Sequence, residues 1–205
     1  MCCRYFIRES PELRSVIEAM NRSPLLSLFQ ERTAVLSEGE IRPTNAAPVI
    51  ATNRSGDRAV FPMKWGFTGK TLLINARAET AAQKPTFREA WAGHRCIVPA
   101  SWYFEWEHLT GKDGRKKTGE KYRLHPKGTA ITWLCGLYRM EEGLPSFVIL
   151  TREPSEAIRF IHDRMPLMLP EQRVNDWINP GANPAEIIRA AETEIVFERE
   201  VSQAE

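Results

Sequence analysis

The spacing of apolar residues divides the chain into three regimes. After a short apolar run, Arg4-Tyr5-Phe6-Ile7, the residues Leu13, Val16, Ile17 and Met20 recur at helical intervals. Ser10-Pro11-Glu12 supplies an N-cap, a proline at the first helical position and an acid in the first turn. The middle of the chain reads as strands: Val49–Thr52, Val60–Phe67, Leu72–Asn75, Arg95–Pro99, Trp102–Glu107, Lys121–His125, Ala130–Tyr138 and Phe147–Thr151. The proline-rich stretch from Arg42 to Pro48 is expected to be a loop. The segment from Gly111 to Gly119 is expected to be an exposed hairpin loop. Helical signals then return. Ser155 to His162 carries Ile158 and Ile161 on one side, Pro170 to Ile178 begins with a proline, and Asn183-Pro184-Ala185-Glu186 resembles a capping box ahead of Ile187 and Ile188. A strand at Glu194–Glu198 follows. Strands outnumber helices and the helices lie towards the ends, which predicts one α+β domain over residues 1–205.

Composition narrows this picture. Of 205 residues, 42% are apolar and 26% charged, which excludes a disordered tail. No apolar run approaches the roughly 18 residues of a membrane span, and no secretory signal opens the chain. Four cysteines make no disulfide framework and predict a reducing cytoplasm. Cys96 and Cys135 fall in apolar strands, His94 is isolated, and no cysteine pair has zinc-ligand spacing, so neither metal nor cofactor is expected. The net charge of +2 means that any nucleic-acid binding must use a local patch. Residues 112–127 carry seven Lys/Arg against two acids, and residues 186–205 six acids against two Arg. The simplest reading of both runs is a solvated loop and a solvated helix end. About four of the six tryptophans are expected in the core.

Several residues could carry chemistry. Cys2 follows the initiator Met1. Once Met1 is removed, Cys2 would present an α-amine and a thiol on adjacent carbons, both partly deprotonated near neutral pH. Such a pair converts an aldehyde first to an imine and then to a five-membered thiazolidine. In Trp102-Tyr103-Phe104-Glu105-Trp106-Glu107, strand alternation puts Trp102, Phe104 and Trp106 on one face and Tyr103, Glu105 and Glu107 on the other. Among aromatics Glu105 could lose solvent and become a general acid or base, although strand pattern alone favours an acid in water. His162 precedes Asp163-Arg164-Met165-Pro166, where an imidazole could titrate near neutrality or simply cap a helix end. Asn75, Arg77 and Glu79 share a face after an apolar strand, a layout found in active sites and in structural ion pairs alike. Arg4, Arg77 and Arg164 could bind phosphates, and Trp65 and Trp106 could stack bases.

Six segments occur together in order: Met1-Cys2-x-Arg4-Tyr5, Asn45-x-Ala47-Pro48, Trp65-Gly66, Ile74-Asn75-Ala76-Arg77-x-Glu79-Thr80, Trp102-Tyr103-x-Glu105-Trp106 and Ile161-His162-Asp163-Arg164-Met165-Pro166. The chain thereby resembles the SOS response-associated peptidase (SRAP) domain family, strongly over residues 2–178 and weakly beyond. The resemblance implies a mixed, barrel-like sheet with peripheral helices. It implies binding to single-stranded DNA at abasic sites and a covalent thiazolidine cross-link through Cys2 after autoproteolytic loss of Met1, with possible lyase activity. It implies catalytic roles for Cys2, Asn75, Glu105 and His162, and DNA contacts from Arg4, Pro48, Arg77, Arg164 and Trp106. A cytoplasmic monomer, nucleoid-associated on damaged DNA, is expected. Two departures stand out: Cys3 replaces the usual glycine, and the tract Phe67-Thr68-Gly69-Lys70-Thr71 is short. Two other readings are open. One is a thiol peptidase acting on other proteins; the other is a non-covalent single-strand binder.

Overall fold

The computed structural model describes residues 2–29, 31–110 and 115–200. Its elements in chain order begin with β1 (Arg4–Ile7), α1 (Pro11–Asn21), β2 (Gly39–Ile41), β3 (Ala46–Thr52), β4 (Arg58–Trp65), β5 (Asn75–Arg77), α2 (Ala78–Ala81) and α3 (Arg88–Gly93). They continue with β6 (Arg95–Ala100), β7 (Trp102–Thr110), β8 (Lys116–Pro126), β9 (Thr132–Glu141) and β10 (Leu144–Arg152). Last come β11 (Met165–Pro166), β12 (Met168–Leu169), α4 (Val174–Ile178), α5 (Pro184–Ile187) and β13 (Ile195–Arg199). This is the expected α+β class.

Strands β10, β4, β3, β6 and β9 form a closed mixed barrel, because β9 pairs with both β6 and β10. All pairings around it are antiparallel except β10–β4. A second sheet runs in the order β13-β8-β7-β1-β2. Tyr5 of β1 meets Trp65 of β4 with ring centroids 5.2 Å apart, so the sheet packs over the barrel. The buried faces of both make one apolar core that includes Val49, Ile50, Phe147 and Ile149. Helix α1 starts where the sequence predicts. Ser10 Oγ accepts from the Leu13 amide at 3.3 Å, and Leu13, Val16, Ile17 and Met20 are buried.

Five expectations need correction. Pro48 is not in a loop: β3 begins at Ala46, and Pro48 lies directly opposite Pro62 of β4. Two facing prolines are tolerated where neither missing N–H had a ladder partner. The strand read at Leu72–Asn75 begins only at Asn75, which pairs in parallel with Ile149. Leu72 is used differently. Gly66 has φ +117°, and a Cβ there would stand 2.8 Å from Leu72 Cδ1, so only glycine fits the turn after Trp65. Ser155 to His162 makes one 3-10 turn, Glu156–Ile158, not a helix; Ile158 and Ile161 are still buried. The Ile161 carbonyl accepts from the His108 amide, which ties this segment to β7. The acidic run is only partly a helix end: Glu186 lies in α5, Ile195–Arg199 forms β13, antiparallel to the basic β8, with ion pairs Arg123–Glu198, Lys127–Glu194 and Arg199–Glu120, and residues 201–205 lie outside the described residues. Part of the expected hairpin loop, residues 111–114, lies outside the described residues, while Gly119 falls inside β8.

Trp65, Trp133 and Trp177 are buried, and Trp91 packs against the core beside Trp177. No helix among the described residues is long and apolar enough to cross a membrane.

Candidate active site

The chemistry-bearing residues converge where β1, β7, β5 and the segment before β11 meet. A cleft of about 420 Å³ is lined by Cys3, Arg77, Glu105, Trp106, His108, Thr118, His162, Asp163 and Arg164. A larger apolar groove of about 540 Å³ near Leu25, Phe61 and Met140 lies elsewhere and is lined by no carboxylate or imidazole.

Cys2 lies just behind the cleft. It is fully buried, with Sγ 3.6 Å from the Arg4 carbonyl oxygen. Burial pushes its thiol well above the ordinary value, and the nearby Glu105 adds to this. Asn75 Nδ2 donates to the Cys2 carbonyl at 2.8 Å. The other end of that amide, Oδ1, is buried and has no hydrogen-bond partner among the described residues. The hydroxyls of Tyr5 and Tyr103 are in the same condition, and both phenols are raised by burial and by the neighbouring Cys2. Met1 itself lies outside the described residues.

Glu105 is buried, contrary to the reading as a solvated acid. Desolvation raises its pKa to about 7, with a further push from the charge of Asp163. Its Oε1 is 3.6 Å from His162 Nε2. His162 is also buried; its Nδ1 faces the Asp163 carboxylate at 2.7 Å and the Arg164 amide N–H at 3.0 Å. The Arg164 backbone N–H can only donate, so Nδ1 accepts it and the ring proton lies on Nε2, facing Glu105.

The arginines divide. Arg77 lines the cleft and is exposed. Arg164 is clamped by Glu79 through two hydrogen bonds of 2.9 and 2.8 Å and also donates to the Thr151 carbonyl at 2.7 Å. Arg4 is paired with Glu40 at 2.7 Å and lies over the Trp106 ring, with Lys121 on the same ring. Trp106 lines the cleft edge, while Trp65 is buried. Pro48 is not brought to the cleft: it is buried within β3.

His108 was not foreseen. Three positions after Glu105, it belongs on the opposite face of a regular strand. The pairing of β7 with β8 is irregular between Trp106 and His108, where β8 carries one extra residue. Gly119 lies at that irregularity, and a Cβ there would meet Glu107 Oε2 at 2.8 Å and Leu109 Cδ1 at 3.0 Å. The only sequence signal was that glycine.

Fold and cleft can now be compared with known proteins. The chain belongs to the SOS response associated peptidase (SRAP) family, whose sequence model matches residues 1–204. Among its relatives is the abasic site processing protein YoqW of Bacillus subtilis (strain 168), 33% identical over 163 residues, 71% of this chain and 70% of that protein. Another is the abasic site processing protein YedK of Escherichia coli (strain K12), 27% identical over 146 residues, 65% of this chain and 63% of that protein. Solved structures share the fold. A protein from Bacteroides thetaiotaomicron has a TM-score of 0.71 at 21% identity, covering 98% of this chain and 93% of its own. A phage-related protein from Bordetella bronchiseptica has the same TM-score at 22% identity, covering 98% and 95%.

Proposed function

We propose that this chain processes abasic sites in single-stranded DNA and, once Met1 has been removed by autoproteolysis, bonds to the lesion through Cys2 as a thiazolidine. The observation that carries this reading is the Asn75 amide. It holds the Cys2 carbonyl at 2.8 Å and keeps a second buried atom, the acceptor Oδ1, without a partner among the described residues. An α-amine on Cys2 would supply the missing donor. The names of the relatives YoqW and YedK support the substrate class.

An abasic site is a masked aldehyde, held mostly as a cyclic hemiacetal. Opening it takes a proton from the hydroxyl and returns one to the ring oxygen. Glu105, poised near neutrality, and His162 would make these transfers. The amine nitrogen then adds to the aldehyde carbon, and water leaves to give the imine. The sulfur adds to the imine carbon, its proton passing to nitrogen, and the ring closes. The net change is loss of one water. At the imine stage C2′ of the sugar is acidified, which would permit strand scission as a side activity. Arg77, Arg164 and Arg4 would hold flanking phosphates, and Trp106 would pack beside the lesion. The protein would act as a monomer in the cytoplasm, on the nucleoid where DNA is damaged.

The test is a denaturing gel after incubation with single-stranded DNA bearing one abasic site. Wild type should give a heat-stable adduct. Cys2→Ala should give none and keep only weak, salt-sensitive binding. A Cys2→Ala/Cys3→Ala double variant that still cross-links would overturn the proposal.

A further inference from the structure

The second sheet has two unlike faces. One turns Tyr5 onto the barrel, with Tyr103 and Leu124 beside it in register, all buried. The other carries Phe6, Trp102, Phe104 and Trp106, and of these four the function above uses only Trp106. We infer that this outer face is a track for single-stranded DNA, along which the strand continues after it leaves the cleft. The inference rests on the DNA-binding reading, and what the track holds is undamaged strand, not the lesion.

Three observations support this. First, the rings form a continuous row. Phe6 stacks on Trp102 with centroids 4.8 Å apart and an interplanar angle of 5°. Phe104, itself buried, meets these two rings edge-on at 6.5 and 6.4 Å. Lys121 Nζ then bridges to the cleft edge, 3.8 Å from the Phe104 centroid and 5.5 Å from that of Trp106. From Trp102 to Trp106 the strand covers about 13 Å, the length of roughly four stacked nucleotides. Phe6, Trp102 and Trp106 are only half-buried, so bases can reach them. Second, cations are interleaved with the rings. The guanidinium groups of Arg8 and Arg123 lie 4.6 and 5.6 Å from the Trp102 centroid, and that of Arg4 lies 5.5 Å from Trp106. Aromatic rings and guanidinium planes both stack bases, while Arg and Lys take the phosphates. Third, positive charge is in excess. Arg4, Arg42 and Lys121 share the single carboxylate of Glu40, and Arg123 pairs with Glu198 and Glu200. Arg8 is exposed, lies over Trp102 and has no ion pair among the described residues. Five cations thus face three carboxylates, a balance complementary to a polyanion. An acidic peptide would match the charge and leave the row of rings unused; a single strand engages both.

The direct test is fluorescence anisotropy of a labelled, undamaged single strand, long enough to cover both cleft and outer face, titrated with the full-length protein. Arg8→Glu, a surface change, should weaken binding at least about fivefold. Arg54→Glu makes the same change of charge in the exposed turn between β3 and β4 and should leave binding nearly as in wild type. Equal binding by the two variants would overturn the inference, and is the result expected if the face takes an acidic peptide instead. No binding of the undamaged strand by wild type would overturn it as well. Salt dependence separates the parts of the track. Arg8→Ala should lower the slope of log affinity against log salt by about 0.7, while Trp102→Leu should weaken binding at least about fivefold with the slope unchanged. With a lesion-bearing strand, Arg8→Glu should raise the protein concentration that gives half the maximal adduct rate and leave the rate at saturation unchanged. A lowered saturating rate would place Arg8 in the chemistry and overturn its assignment to the track. A protein that binds undamaged strand through Arg8 but forms no adduct would sink the cross-linking reading and leave the track standing.

Discussion

Two buried polar clusters in this molecule are built in opposite ways. One surrounds Arg95 at the start of β6. Its guanidinium donates to the carbonyls of Trp177, Trp91, Ala92 and Ala182 at 2.8 to 3.0 Å and to that of Asn179 at 2.5 Å. Burial alone pulls its pKa down, and five carbonyls hold the charge in place. The other surrounds Cys2. There Asn75 Oδ1, Tyr5 Oη and Tyr103 Oη are all buried without partners among the described residues. A satisfied cluster is a strut: it joins α3, β6 and the α4–α5 region. An unsatisfied one costs stability, and such sites persist where a ligand or reacting group completes them. The contrast separates residues that hold the fold from residues whose polar atoms the described residues leave unsatisfied.

Changing Cys2 gives the largest expected effect, complete loss of the DNA adduct with stability nearly unchanged, read by denaturing gel and melting temperature. Glu105→Gln comes next. It should slow both formation and reversal of the adduct by about 10²–10⁴-fold, and unchanged rates would remove Glu105 from the mechanism. Arg95→Met should do the reverse. It strips five carbonyls of their donor and should cost about 3–5 kcal/mol in chemical denaturation, while the protein that remains folded cross-links at the wild-type rate. A loss below about 1 kcal/mol would mean that water replaces the guanidinium. Asn75→Ala sharpens the contrast further. It deletes one hydrogen bond and one unpaired oxygen, so stability should move by no more than about 1–2 kcal/mol, yet the adduct rate should fall at least tenfold.

Much of the fold was legible, for identifiable reasons. Helix α1 carried its own cap and spacing, and β6, β9 and β10 were apolar runs of strand length. What escaped depended on partners far along the chain. Pro48 is a strand residue because Pro62 faces it. The segment from Ser155 to His162 is short and bracketed by prolines, and bonding to β7 offers its backbone more than an isolated helix would. At the site, Cys2, Asn75, Glu105 and His162 were singled out by order and type, and the structure brings Asn75 to Cys2 and Glu105 to His162. Arg95 looked like an ordinary strand start, since no local pattern shows where five carbonyls will point. His108 needed the β7–β8 register, which sequence does not carry.

The smallest effect concerns the rim. Burial raises the Glu79 carboxyl, but hydrogen bonds from Arg164 outweigh it and leave the pKa below the ordinary value. The pair therefore stabilises the fold above the usual carboxylate range, and the gain is lost as pH falls through the lowered pKa. Glu79 is about half exposed, so Glu79→Gln should cost under about 1 kcal/mol near neutral pH. The difference from wild type should vanish in acid denaturation curves; a difference that grew on acidification would contradict this assignment.

The central claim is that Cys2 acts as an aminothiol in a space prepared for it. Intact mass of the purified protein, before and after incubation with single-stranded DNA carrying one abasic site, tests it most directly. The account predicts a species lacking Met1 that gains the oligonucleotide mass minus one water. Loss of Met1 with no such adduct would contradict it.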